Sequence, residues 1–374
     1  MAALADILAR ETRDGELYDT LPDGRLRCYA CGHECPLPDG AIGVCKVRFN
    51  ANGRLRVPWG YIGGVPCDPI EKKPFFHAYP GALAYSFGML GCDLHCGYCQ
   101  NWVTSQALRD PAAVVPPLFT TPADLVGDAL RQHARVMVST YNEPLITSEW
   151  AVAVFKEARA AGLVTGYVSN GNGTPRVLEY LRPWVDLYKV DLKSFDDRRY
   201  RELGGRLGPI LDTIRGLHAI GVWVEIVTLL IPGFNDSRDE LNRLTEFIAD
   251  VSPDIPWHVT AFHGDYKMTG PVNTTADMLS AAAAIGTANG LRHVYAGNLP
   301  GKVGDLEHTR CGDCGQLLVS RFGYHIRDYR LTPDGRCPAC AATVPGRWGS
   351  GFEGQIASRP FAPGGSRLTI LDAS

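Results

Sequence analysis

The middle of the chain alternates between two hydrophobic patterns. Short β-branched or aromatic runs recur at Leu83–Gly88, Arg135–Thr140, Val164–Ser169, Leu187–Leu192, Trp223–Leu229 and Trp257–Ala261, and runs of this kind predict strands. Between them, apolar residues fall at helical spacing. Thr121-Pro122 supplies an N-cap and a proline at the first helical position. Ser237-Arg238-Asp239-Glu240 reads as a capping box before another helix, and Ala276–Ala288 as a last, alanine-rich one. Repeated strand–helix units with short connections predict a parallel sheet made by right-handed crossovers. Six units suit a partial (β/α)6 TIM-like barrel or an open doubly wound sheet, and periodicity does not separate the two. In either, chemistry belongs at the C-terminal ends of the strands.

The flanks differ in character. Residues 21–66 and 301–349 are rich in Gly, Pro and Cys. Such segments hold too little apolar surface for a core of their own and predict metal-stapled modules. The expected organisation is an N-terminal four-cysteine metal-binding module over 1–66, an α/β core over 67–300, a C-terminal zinc-ribbon-like four-cysteine module over 301–349 and a loose tail over 350–374.

Charge and cysteine content then narrow the function. A formal net charge of −3 over 374 residues leaves no electrostatic footprint for nucleic acid or an anionic membrane, so neither is an expected partner. No apolar run approaches the ~18–20 residues that span a bilayer. The N-terminus MAALADILARETRDGE turns acidic too soon for a secretory signal. The expected location is the reducing cytoplasm, where thiols seldom form structural disulfides. Twelve cysteines then point to metal. Eleven form three groups: Cys28, Cys31, Cys35, Cys45; Cys92, Cys96, Cys99; and Cys311, Cys314, Cys337, Cys340. Cys67 stands alone, and nothing beside it marks an activated thiol.

Gly91-Cys92-Asp93-Leu94-His95-Cys96-Gly97-Tyr98-Cys99 follows the first predicted strand directly. Three thiolates can hold three corners of a [4Fe–4S] cluster, which normally takes four cysteines, and leave one iron open. Gly91 and Gly97 let the loop wrap closely around such a group. The competing reading is a zinc site with His95 as fourth ligand, but His95 adjoins Cys96, which makes joint tetrahedral ligation awkward. Here the sequence resembles the radical S-adenosylmethionine (SAM) superfamily. Its mark is a C-x3-C-x-aromatic-C triplet after the first strand, matched by Cys92, Cys96, Tyr98 and Cys99. The resemblance covers about residues 82–300. It implies a partial barrel of the radical SAM type and SAM bound at the open iron. It also implies one-electron cleavage to a 5′-deoxyadenosyl radical, hydrogen abstraction from a substrate that the resemblance leaves open and that is expected to be a protein or peptide, and a low-potential flavodoxin- or ferredoxin-type donor. Tyr98 would pack on the adenine.

Further positions carry the resemblance on other strand ends. Activases of glycyl-radical enzymes hold the SAM amino group with a Gly-Gly-Glu-Pro turn. This chain keeps Glu143 and Pro144 but has Tyr141-Asn142 for the glycines. Ser169-Asn170-Gly171 resembles the family's Thr-Asn-Gly turn, with Val168 in place of a preceding aspartate. Alternation puts Lys189, Asp191 and Lys193 on one face of their strand and Tyr188, Val190 and Leu192 on the other. Asp191 and Lys193 match the activases' SAM-contacting Asp-x-Lys. His258 and His263 fall on opposite faces by alternation, and Phe262-His263 fits the activases' ribose-contacting histidine better. The resemblance thus implies cofactor contacts at Tyr98, Asn142, Glu143, Ser169, Asn170, Asp191, Lys193 and His263.

The two terminal cysteine sets differ. Cys311-x2-Cys314 and Cys337-x2-Cys340 are paired knuckles of a closed zinc site. Cys28-x2-Cys31-x3-Cys35-x9-Cys45 is less regular; zinc is the favoured occupant and a second cluster the alternative, with His33 as a substitute ligand. These modules, with Asp68-Pro69-Ile70-Glu71-Lys72-Lys73-Pro74, Tyr295-Ala296-Gly297-Asn298 and Val344-Pro345-Gly346-Arg347-Trp348, resemble the AmmeMemoRadiSam-system radical SAM proteins, relatives of the pyruvate formate-lyase-activating enzyme. That branch implies Memo-like and AMMECR-like partners. A true glycyl-radical activase is the alternative enzyme. A non-catalytic, metal-stapled RNA- or protein-binding module is the alternative of another class. Against RNA, the run Arg198-Arg199-Tyr200-Arg201 is short, has acidic neighbours and reads as a solvated helix face. No phosphate-binding loop, zinc-protease helix or nucleophile elbow is present.

Overall fold

The computed structural model describes residues 4–349, so the predicted tail lies outside the described residues. Its centre is one mixed sheet of eight strands. In chain order these are β1 (Cys67–Pro69), β2 (Leu83–Phe87), β3 (Val136–Ser139), β4 (Val164–Ser169), β5 (Leu187–Asp191), β6 (Trp223–Leu230), β7 (Trp257–Ala261) and β8 (Val294–Gly297). They lie side by side in sequence order. The pairs from β2 to β8 are parallel, and β1 is antiparallel on β2. All six expected strands are here. The sheet has two more, and its edges are not paired with each other, so it remains open. β8 is four residues ending in glycine, and β1 is Cys-Asp-Pro. Neither carries a hydrophobic pattern, and β1 can hold Pro69 because it is an edge.

Six helices return the chain between parallel strands: α1 (Pro122–Arg131), α2 (Ser148–Ala160), α3 (Pro175–Leu181), α4 (Leu207–Ala219), α5 (Arg238–Val251) and α6 (Ala276–Ala288). Thr121 caps α1 by accepting from Asp124 N at 3.2 Å, with Pro122 at the first position. At α5 the capping box forms only in one direction. Ser237 Oγ accepts from Glu240 N at 3.3 Å. Glu240 does not return the bond; its carboxylate accepts from Ser194 Oγ at 2.5 Å and Phe195 N at 2.7 Å, which ties down the loop after β5.

The sheet has two buried faces. Tyr188 and Val190 of β5 join the helix-side core with Trp150, Phe155, Ile214 and Ile248. That core continues into Leu17, Leu26, Leu55 and Val57 of the N-terminal segment. On the inner face, Ile70, Phe75 and Ala78 pack on Ala84, Val136, Val138 and Leu187, so the stretch 70–79 plugs the sheet from inside. Glu225 of β6 fixes this plug. It accepts from Phe76 N and His77 N, both at 2.9 Å, and from Trp223 Nε1 at 3.0 Å.

The terminal segments sit at opposite ends of the strands. The N-terminal one forms two small antiparallel sheets of three strands each. It docks beside the C-terminal ends of β3 and β4 through a buried bidentate pair: Arg48 Nη1 and Nη2 lie 2.7 and 2.8 Å from the Glu149 carboxylate. The C-terminal one is a three-stranded antiparallel sheet beneath the other end. There Arg321 Nη2 donates to Phe76 O at 2.9 Å and Arg347 Nη2 to Gly221 O at 3.1 Å, just before β6. No helix among the described residues is long and apolar enough to cross a membrane.

Arg48 and Glu149 are each about 1% exposed. Removing one partner strands a charge in the core. Glu149→Gln is expected to cost about 3–5 kcal/mol in urea unfolding, and Arg48→Met with Glu149→Leu together much less. Equal losses would show that the pair is not what joins the two parts.

Candidate functional site

The loop from β2 to the short helix Trp102–Ser105 is pinned from several sides. Met89 N donates to Asn142 Oδ1 at 3.0 Å, which joins the ends of β2 and β3. Gly91 has φ +93°, and a Cβ there would come within 3.0 Å of Cys45 O and Val47 Cγ1. Lys267 N donates to Gly97 O at 2.8 Å, and His95 N to Leu203 O at 2.9 Å. Leu94 N reaches Cys92 Sγ at 3.4 Å, and Ser105 Oγ lies 3.2 Å from Cys99 Sγ. Cys96 is buried, with Cys92 and Cys99 half-buried. Burial pushes the Cys96 thiol up to about 11, partly opposed by the nearby Lys193 charge. A thiol so enclosed stays protonated and inert until a metal replaces the proton. Tyr98 is buried against Phe234, with Leu94, Leu203, Ile231 and Phe262 in the same cluster.

The zinc alternative at this loop fails on geometry. His95 is exposed, and its ring packs over Gly204. Among the described residues, only Cys311, Cys314, Cys337 and Cys340 bring their ligand atoms within 4.8 Å of one another. The triplet is too spread for one ion. Three thiols at that wider spacing suit a multi-iron group, which takes each thiolate on a different iron.

The other strand ends bring Glu143, Ser169 and Asn170 together. Glu143 accepts from Ser169 Oγ at 2.7 Å, Asn170 N at 2.7 Å and Leu145 N at 3.0 Å. Burial pushes its carboxyl up to about 8, the Asp93 charge adds to this, and those donors oppose it. Asn142 is spent on positioning, since its Nδ2 also donates to Glu143 O at 3.2 Å. On the inner face, Lys189 Nζ bonds Asp191, and Lys193 Nζ lies 3.6 Å from the other Asp191 oxygen. Tyr200, within the basic run, is buried and accepts from Lys193 N at 2.9 Å, so that helix face is not wholly solvated. His263 is exposed and lies 3.0 Å from Gln100 Nε2, beside Cys99. His258 is buried, with Nε2 2.7 Å from Glu225.

Two features escaped the sequence reading. The first is Asp93, fully buried, whose carboxylate accepts from Asn170 Nδ2 and Asn172 Nδ2, both at 2.7 Å. Its carbonyl lies 3.2 Å from His33 Nε2, which is therefore engaged in this contact. Only the adjacency of Asp93 to Cys92, and the Asn-Gly-Asn turn after β4, could have pointed to it. The second is Tyr141, at φ +70°, whose hydroxyl lies 2.5 Å from buried Lys73 Nζ. Burial lowers the Lys73 ammonium to about 8, against the opposing pull of Asp68. Cys67, nearby, is pushed up to about 11 by burial, the opposite of an activated thiol.

The terminal cysteines divide by spacing. Cys311 and Cys340, and Cys314 and Cys337, have sulfurs 3.6 Å apart, as four ligands of one ion require. Cys28, Cys31 and Cys45 are buried and Cys35 half-buried, in a separate and wider set.

Comparison with known proteins follows the same residues. The chain matches the radical SAM superfamily over residues 88–247, which include Cys92, Glu143 and Lys193. It is 33% identical over 335 residues to an uncharacterized protein of Methanocaldococcus jannaschii, covering 89% of this chain and 98% of that one. It is 28% identical over 194 residues to the pyruvate formate-lyase-activating enzyme of Staphylococcus aureus, covering 49% of this chain and 76% of the relative. A radical SAM methyltransferase from Sphaerobacter thermophilus superposes with TM-score 0.47 at 15% identity, over 64% of this chain and 71% of that one.

Asp93→Ala leaves two buried amides without an acceptor. The expected cost is about 2–4 kcal/mol, with a several-fold loss of iron retained on anaerobic desalting. Iron retention equal to wild type would show that Asp93 does not hold the loop.

Proposed function

The chain belongs to the radical SAM superfamily, and from that premise we propose that it reductively cleaves S-adenosylmethionine and uses the resulting 5′-deoxyadenosyl radical to take a hydrogen atom from a protein or peptide. The observation that carries this reading is the convergence of three enclosed thiols and one buried carboxylate, Glu143, on one end of the sheet. When bound, the [4Fe–4S] cluster and SAM supply the electron and the radical precursor. The protein's residues do the rest. Cys92, Cys96 and Cys99 would hold three irons of the cluster and leave the fourth without a cysteine from this loop. Glu143 would accept from the ammonium of the cofactor, and Ser169 and Asn170 keep its carboxylate aimed. Asp191 and Lys193 offer one acceptor and one donor on the inner face. Tyr98 walls the cofactor, and His263 sits at the rim. In this reading the sheet curls as a partial barrel, with substrate entering at the strand ends.

The match to the activating enzyme supports a narrower reading, activation of a glycyl-radical enzyme. Tyr141-Asn142 in place of two glycines, and the two cysteine modules, favour a different protein substrate in the AmmeMemoRadiSam branch, with Memo-like and AMMECR-like partners. A flavodoxin- or ferredoxin-type donor in the cytoplasm would supply the electron. The C-terminal four cysteines would hold one zinc as a structural staple.

Cys96→Ala is expected to abolish 5′-deoxyadenosine formation under dithionite, and continued formation would sink the proposal. A glycine-centred EPR doublet on a candidate partner would favour the narrower reading. Zinc of about one per chain should disappear with Cys337→Ser. SAM binding should also depend on pH. With its pKa at about 8 in the empty site, Glu143 carries a proton below that pH. Pairing with an ammonium needs the carboxylate, so binding releases the proton. Affinity should therefore rise with pH up to about 8, by at most about tenfold per unit, and then level off. Calorimetry in buffers of different ionisation heat should show proton release in the wild type and none in Glu143→Gln.

A further inference from the structure

We propose that Cys28, Cys31, Cys35 and Cys45 hold a second [4Fe–4S] cluster, seated directly behind the Cys92–Cys99 loop, and not a zinc ion. The fold has gathered the four thiols around one space. Cys28 N donates to Cys35 O at 3.1 Å at the end of a strand pair, and Glu34 N to Cys31 O at 3.1 Å and Lys46 N to Gly43 O at 2.9 Å close two tight turns beside the sulfurs. Cys28, Cys31 and Cys45 are only 5–6% exposed.

The same molecule supplies the comparison that separates the two metals. Zinc–sulfur bonds of ~2.3 Å set tetrahedral ligands ~3.8 Å apart. The C-terminal set meets this, with sulfur pairs at 3.6 Å. The N-terminal set does not: among the described residues, no three of its ligand atoms lie within 4.8 Å of one another. A cube binds each thiolate on a different iron, so its ligands must stand further apart than those of one ion. Gly43 lets the backbone pass close to two of the thiols, since a Cβ there would already meet Arg48 O at 3.3 Å. A Cβ there would lie 3.7 Å from Cys45 Sγ and 3.8 Å from Cys35 Sγ. Arg48, three residues past Cys45 and buried, has its Nη atoms on Glu149 and leaves Nε without a partner, a donor that cluster sulfur can take.

Position points the same way. The zinc-spaced set lies under the far end of the strands. The N-terminal set touches the loop that carries the central triplet. Cys45 O would meet a Cβ on Gly91 at 3.0 Å, His33 Nε2 is 3.2 Å from Asp93 O, and Gly32 N donates to Asn172 O at 2.8 Å. A one-electron centre gains from standing beside the loop that carries Cys92.

The test is metal content and EPR of the full-length chain, purified anaerobically and reconstituted with iron and sulfide. The wild type is expected to carry about eight irons, and Cys92→Ala/Cys96→Ala/Cys99→Ala about four, with an EPR signal of a reduced [4Fe–4S] cluster after dithionite. Cys31→Ser/Cys45→Ser should lose the complementary four. A triple variant with no iron and about two zincs per chain would overturn the proposal. If Cys31→Ser/Cys45→Ser does not fold, the triple variant decides alone, because it leaves the N-terminal segment untouched. Occupancy does not depend on the proposed reaction: failure to cleave SAM would leave these counts unchanged.

Discussion

One buried carboxylate holds the site together. Asp93 is fully enclosed, and a charge there is tolerable only because two side-chain amides face it at 2.7 Å. Those amides come from the turn after β4, while Asp93 belongs to the loop after β2. The N-terminal segment closes the triangle through His33 and Gly32. Each segment also makes bonds of its own, such as Gly171 N to Ser169 Oγ at 3.0 Å, but the bonds to Asp93 run between them. These contacts link the loop of Cys92, the Glu143 carboxylate through Asn170 N, and the N-terminal cysteine segment.

The inner face of the sheet follows the same rule at larger scale. It buries charge by pairing it, and each pair does positional work. Glu225 gathers two backbone amides of the plug, an indole and His258. Lys189 and Asp191 neutralise each other near the open end and bring Lys193 with them. The polar interior therefore grades from a sealed floor to an ionic, partly accessible mouth.

What the sequence showed was what local pattern encodes. The strands from Leu83 to Ala261 and the helix starts at Thr121 and Ser237 depend on neighbours a few residues away. The sulfur spacing from Cys92 to Cys99 is equally local. Contacts between distant residues were not legible. Glu240 looked like half of a capping box, yet its carboxylate serves Ser194, in a loop from another unit. Arg48 and Glu149 are unremarkable in their own segments and become a buried pair only when two parts of the chain meet. β8 was missed because its stability comes from the groove beside β7 and not from its own four residues. His258 and His263 were separable by alternation, but only the structure shows that Glu225 has claimed the first.

The plug carries a consequence for the order in which the molecule is made. Its residues Phe76 and His77 are synthesised early. The groups that lock them from below arrive 245 residues later at Arg321 and 268 residues later at Pro345. Chains fold progressively as they leave the ribosome, so the floor of the inner face is among the last parts to close. The cysteines from Cys28 to Cys99 have emerged long before that.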